Sequence, residues 1–189
     1  MVKVAMLHGR ETVDLNLPDR TQVIEAAEVF PLPDPQAAVR KALAEPVNSP
    51  PLSQLAQNKA KACVVVSDFT RPMPNQIILP PLLAALEEGG IARDKITLLI
   101  ATGMHRPNLG QELVDLVGQE VVDGYHIVNH YCRQQKTVRR VGEIDGAPIE
   151  INTDYLDADL KILTGLIEPH MYAGYSGGRK SILPGISSF

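Results

Sequence analysis

Apolar positions along this chain follow two regimes. In VKVAML (2–7) and TVDLNL (12–17) they alternate with polar ones, and the two stretches flank His8-Gly9-Arg10-Glu11. That pattern predicts an antiparallel hairpin. TQVIEAAEV (21–29) fits a further strand or a short helix. Farther on, the apolar residues bunch into short blocks: KACVVVS (61–67), KITLLIAT (95–102), GYHIVNHY (124–131) and DLKILTGLI (159–167). Blocks of this length, apolar on both faces, suit parallel strands covered by helices.

Helical segments separate the blocks. The first runs from Pro35 to about Glu45, with Asp34 as its cap and proline at the first helical position. After the break NSPP, a second spans about Leu52 to Asn58. Residues 74–88 form a third, ended by Gly89-Gly90, which Pro80-Pro81 must kink or split. Residues 108–118 form a fourth. TVRRVGEI and APIEIN flank Asp145-Gly146, a second hairpin signal. The alternation predicts an α/β fold: a mostly parallel sheet with flanking helices in Rossmann-like layers. It is read as a single domain over 1–189, with the N-terminal strands as a separate antiparallel element or an edge.

Composition narrows the function. A net charge of −4, no Trp and 4% aromatic residues argue against nucleic-acid partners, which need a basic excess and stacking platforms. With 44% apolar and 21% charged residues the chain can build a core. Cys63 and Cys132 make no disulfide framework, and Cys63, opening CVVV, reads as a small buried hydrophobe. MVKVAMLHGRETVDL has no signal-peptide h-region, and no apolar run approaches a membrane span. The expectation is a cytoplasmic protein without a membrane partner.

Three blocks end in polar loops: Asp68-Phe69-Thr70-Arg71-Pro72, Thr102-Gly103-Met104-His105-Arg106-Pro107, and Glu168-Pro169-His170-Met171-Tyr172. Parallel strands place all three at one sheet edge, where α/β folds bind ligands. Asp68, Arg71, His105, His170, Arg179 and Lys180 can therefore converge. Arg71 suits a carboxylate or phosphate, or else a capping ion pair with Asp68. His126 and His130 are spaced i,i+4 in a strand context and do not argue for a metal. The run Ala173-Gly174-Tyr175-Ser176-Gly177-Gly178-Arg179-Lys180-Ser181 fails the P-loop pattern, because Arg179 stands where that pattern needs Gly. Its Gly-rich turn still offers backbone N–H groups to an anion. Lys180 adds charge, or a nucleophile if Arg179 and burial lower its pKa. Two opposed histidines, an arginine clamp and a lysine anchor would suit a racemase or epimerase.

DFTRP, TGMHRP and EPHMYAGYSGGRKSILPG, in this order and at these separations, resemble the amino-terminal part of the nickel-pincer-dependent lactate racemase family. The resemblance runs from about residue 8 to the end. It implies racemisation or epimerisation of small 2-hydroxy acids. The implied cofactor is the nickel complex of a pyridinium-3,5-bisthiocarboxylate mononucleotide, made by dedicated cofactor-synthesis enzymes and joined to Lys180 through a thioamide. His105 and His170 would alternate as acid and base on the substrate hydroxyl. The substrate's α hydride would move to the cofactor, giving a planar 2-keto acid that is reduced again from the other face. Arg71 would contact substrate and cofactor, and Asp68, Tyr175, Ser176, Gly177 and Gly178 would line the cofactor site.

The family also has a further histidine, a nickel ligand, beyond the modified lysine, and a carboxyl-terminal domain that closes the cleft. This chain ends at Phe189, nine residues after Lys180. The resemblance therefore implies a truncated domain with no metal ligand of its own, the ligand histidine lying beyond Phe189, and no racemisation by these residues alone. The other reading is a non-catalytic anion- or nucleotide-binding α/β module.

Overall fold

A computed structural model describes residues 1–9, 11–25 and 27–189. By its internal contacts the chain divides into two compact units, Met1–Leu32 and Pro33–Phe189.

In the first unit, β1 (Val2–His8) pairs antiparallel with β2 (Glu11–Leu17). The alternation sets Val2, Val4 and Met6 opposite Leu17, Leu15 and Val13 on one face. Such cross-strand apolar pairs are the unit of hairpin stability. Gly9 has φ +65° beside Arg10, which lies outside the described residues. Residues 21–25 and 27–29 form neither strand nor helix, and Ala26 lies outside the described residues. Ile24 and Val29 are 87% and 85% exposed, so neither periodicity finds a surface to bury against.

The second unit opens with α1 (Pro35–Ala44), whose first turn is capped by Asp34 accepting from the Ala37 N–H at 2.8 Å. There follow α2 (Leu52–Ala56), β3 (Ala62–Ser67), α3 (Asn75–Glu88) and β4 (Ile96–Ala101). The next elements are α4 (Gln111–Val117), α5 (Gln119–Gly124) and β5 (His126–Asn129). A hairpin of β6 (Val138–Ile144) and β7 (Ala147–Asn152) leads to α6 (Thr153–Leu156) and β8 (Leu160–Leu163). Two-residue strands β9 (Pro169–His170) and β10 (Gly174–Tyr175) close the series. Among the described residues no helix is long and apolar enough to cross a membrane.

The central sheet has the order β5-β4-β3-β8, all parallel, as expected. Alternate residues of β3 face two cores. Val64 and Val66 join Leu98, Ile100 and the α3 leucines, whereas Cys63 and Val65 join Leu99, Ile151 and Ile186. This two-sided burial produces the uninterrupted apolar blocks. Cys63 is fully buried, and desolvation first, then Asp154, pushes its thiol up to about 12. The Asp145-Gly146 turn has φ +50° and +81°, as a tight hairpin requires.

Helix α3 runs unbroken through Pro80 and Pro81, so the expected split does not occur. Each proline costs about 3 kcal/mol within a helix. Leu79, Leu82, Leu83 and Leu86 are buried on the sheet, and four such side chains contribute roughly 6–12 kcal/mol. Burial wins. All four sheet strands are shorter than the apolar blocks that predict them, β5 and β8 most of all. β8 stops at Leu163, where the Thr164 N–H and hydroxyl both donate to the Val65 carbonyl, at 3.0 and 2.9 Å. Helix α4 begins three residues later than expected, and Gly118 at φ +93° separates it from the unforeseen α5.

Candidate functional site

From β3 the chain steps to β4 and then β5 on one side, while β8 lies on the other. The order reverses beside β3, and such a switch point opens a crevice at the strands' carboxyl ends. Asp68 and Arg71 follow β3 there, and His105 follows β4.

Asp68 is 3% exposed. One carboxylate oxygen accepts the Thr70 hydroxyl at 2.6 Å, and the other accepts His105 Nδ1–H at 2.6 Å. The side chain of His105 is 51% exposed, and no hydrogen bond engages its Nε2 among the described residues. Asp68 thus fixes the ring's orientation and the position of one proton. The Asp68–Arg71 ion pair considered above is not formed. Arg71 is half-buried and has no ion-pair partner among the described residues.

Neighbouring contacts hold this loop pair. The Arg106 guanidinium lies 4.4 Å from the Phe69 ring centroid and makes a two-pronged pair with Glu112, at 2.6 and 2.7 Å. Arg106, and then Asn108, hold the Glu112 carboxyl down at about 2. Asn108 is fully buried, and the Asn129 amide bonds both its N–H and its C=O, at 2.8 and 3.0 Å. Glu112 and Asn129 had no local signal: neither lies in a loop motif. Behind the loop, the Thr102 hydroxyl donates to the His130 carbonyl at 2.6 Å, and the Gly103 N–H donates to the Gly185 carbonyl at 2.9 Å.

The Gly-rich run is fastened from inside. The Ser176 hydroxyl donates to the Leu166 carbonyl at 2.6 Å and accepts from the Glu168 N–H at 3.2 Å. Its polar capacity is spent on backbone. Gly177 has φ +74°, and a Cβ there would stand 3.0 Å from the Leu166 carbonyl oxygen, so backbone conformation and close packing together favour glycine. Gly178, at φ +51°, faces open space. Tyr175 is 65% exposed on the small β9–β10 ribbon.

Lys180 follows within a 3-10 turn (Gly178–Ser181) and is half-buried. Its amine sits below the ordinary lysine value, through desolvation first and the Arg71 charge second, with Asp68 opposing. The lowering charge is therefore Arg71, not Arg179, which is exposed. No hydrogen bond or ion pair holds the Lys180 amine among the described residues.

Asp68, Arg71, His105 and Lys180 thus gather beyond the carboxyl ends of β3 and β4. His170 sits on the β9–β10 ribbon, where its Nδ1 accepts the N–H groups of Tyr172 and Ala173 at 3.2 Å each. No hydrogen bond or ion pair among the described residues joins it to His105. His130 is 1% exposed and structural: its Nε2 meets the Ser187 carbonyl at 2.8 Å and its Nδ1 meets Asn152 at 3.3 Å. Among the described residues no group of three or more His, Cys, Asp or Glu side chains is placed to hold a metal ion.

The family model described as the lactate racemase N-terminal domain matches residues 8–189. A lactate racemase from Lactiplantibacillus plantarum is 37% identical over 195 aligned residues, covering all of this chain and 46% of that protein. Another, from Thermoanaerobacterium thermosaccharolyticum, is 36% identical over 193 residues, covering all of this chain and 45% of that protein. The solved lactate racemase apoprotein from the latter organism superposes with a TM-score of 0.85 over 99% of this chain and 44% of that one. The chain therefore spans about half the length of the relatives it matches. Fold and sequence agree: the chain belongs to the lactate racemase N-terminal domain family.

Proposed function

We propose that this chain is the acid/base and cofactor-anchoring part of a racemase of small 2-hydroxy acids. The observation that carries the reading is the crevice beside β3. There, one imidazole is held by a buried carboxylate, with an unpaired guanidinium and an unpaired, desolvated amine alongside.

Each residue has a part. The Arg71 guanidinium takes the substrate carboxylate through its planar fork. His105, oriented by Asp68, accepts the hydroxyl proton at Nε2. His170 serves the opposite face of the carbon. Lys180 fits a covalent tether, because its amine is free of partners and more of it is uncharged than in an ordinary lysine. The group it would hold is a nickel-pincer nucleotide, which when bound supplies a hydride acceptor. Gly178, open to its surroundings, leaves room beside that group. Ser176 and Gly177 act by shaping the turn. The curated lactate racemases that this chain matches are about twice its length. Racemisation is accordingly assigned to a protein carrying the remaining half seen in the relatives, and the 189 residues alone are expected to be inactive.

Intact-mass measurement of protein produced with the cofactor-synthesis enzymes tests the tether. The expected result is a mass increase lost in Lys180→Ala. An unmodified lysine with measurable mononucleotide affinity would favour the non-catalytic binding module instead. In the longer protein, His105→Ala and His170→Ala are each expected to abolish racemisation while the lysine adduct persists.

A further inference from the structure

Resting on the acid/base reading, we propose that the two histidines are preset in opposite tautomers. His105 is a ready proton acceptor, His170 is a hydrogen-bond donor, and the backbone at 172–173 is the latch that sets His170.

The argument begins at Nδ1 of each ring. A neutral imidazole carries one N–H, and the partner of one nitrogen fixes the state of the other. At His105 the partner is a carboxylate oxygen, which can only accept, so Nδ1 carries the proton. Nε2 then has a free lone pair. Taking a hydroxyl proton there breaks an O–H bond and forms an N–H bond, and the resulting imidazolium is stabilised by Asp68. At His170 the partners are the N–H groups of Tyr172 and Ala173, which can only donate. Nδ1 must be the lone pair, and Nε2 carries the proton. His170 can donate a hydrogen bond to a substrate oxygen. It cannot accept a proton at Nε2 until its own has moved to Nδ1, and that move breaks two backbone hydrogen bonds.

The two faces of the substrate carbon would thus meet unlike groups. Reaction in one direction finds its base prepared. Reaction in the other requires the 171–173 tip of the β9–β10 ribbon to release the ring first. The ribbon suits such a release: two residue pairs hold it, and Met171 and Tyr172 at its tip are 85% and 90% exposed. Two enantiomers have equal energy, so kcat/KM must match in both directions however unlike the bases. The asymmetry has to be read from the rings.

Nitrogen-15 NMR of the 189-residue chain, labelled at its five histidines, reads each tautomer directly. Asn or Gln substitution at one histidine at a time assigns the signals. The expected result is Nδ1–H at His105 and Nε2–H at His170, each favoured at least about tenfold by the hydrogen bonds described. His130, whose Nε2 donates to Ser187, is the internal control for the second pattern. The same tautomer at both sites, or a mixture at either, would overturn the proposal. Ala173→Pro removes one of the two donors to His170. It should shift that ring toward a mixture and leave His105 unchanged, and an unaffected His170 would refute the latch. If the tautomers are as stated yet His105→Ala and His170→Ala still racemise in the longer protein, the catalytic reading fails and the tautomer assignment stands.

Discussion

His130→Leu isolates the buried tie behind the candidate site. The imidazole is 1% exposed; its Nε2–H donates to the Ser187 carbonyl, and its Nδ1 accepts from the Asn152 amide. Leucine fills similar space but offers no polar atom, so the Ser187 carbonyl and the Asn152 amide lose their partner. A buried polar group left unpaired costs about 1–3 kcal/mol, and greater apolar contact offsets a part, giving a net loss of about 2–4 kcal/mol. For a chain of this size that is a fall in Tm of about 5–15 °C. Desolvation holds the imidazole below its ordinary value, with the Ser187 carbonyl opposing. The unfolded chain, near pH 6.5, therefore binds the proton more readily than the folded one. His130 contributes its full stability above about pH 6.5 and loses it as pH falls toward the folded value. Urea unfolding of both proteins between pH 5 and pH 8 checks this. The parent should lose stability below about pH 6.5, and the variant should lose less of it there. A variant within about 0.5 kcal/mol of the parent at pH 8, or an unchanged pH slope, would refute the reasoning.

Gly185→Ala should destabilise by about 1–3 kcal/mol, because its Cβ would stand 2.3 Å from the Ser181 carbonyl oxygen and 3.0 Å from the Ser181 Cα, backbone that cannot step aside. Thermal unfolding measures it, and an unshifted Tm would count against the fold at this turn. Lys180 should react with an amine-directed acylating reagent at pH 8–9 faster than the exposed Lys136, as read by peptide mass spectrometry. Arg71→Ala should slow that labelling, since it removes a charge that lowers the lysine. Labelling unchanged in Arg71→Ala would show that the two side chains do not sense each other.

Much of the fold was legible because two-sided burial leaves a plain mark. KACVVVS and KITLLIAT are strands as read, and the Asp34-Pro35 start and the Asp145-Gly146 turn stand where local chemistry puts them. Misreadings arose where tertiary contacts overrode local preference. Of the kink or split expected at Pro80-Pro81, the split is absent, because four leucines hold the helix to the sheet. DLKILTGLI stays apolar past Leu163, yet its last ladder bond runs from the Thr164 N–H to the Val65 carbonyl, which the Thr164 hydroxyl also meets. At the site, strand ends gave the loops but not their partners. Adjacency suggested Arg179 as the charge acting on Lys180, whereas the chain's path brings Arg71 there. The buried role of His130 could not be read, because its partners Asn152 and Ser187 lie 22 and 57 residues away.

The residues on either side of Lys180 are stitched down. Before it, Ser176 is bound to the Leu166 and Glu168 backbone. After it, Gly185, Ile186 and Ser188 are tied to Gly103, Asn152 and Glu150. The lysine is thus a mooring post rather than a swinging arm: its backbone has little freedom to carry a load from one place to another. If Lys180 carries the proposed tether, the attached group must be brought in, joined and used at the same spot. The reach needed for chemistry has to come from the incoming molecule, from the lysine's own four-carbon stem, or from the ribbon that bears His170.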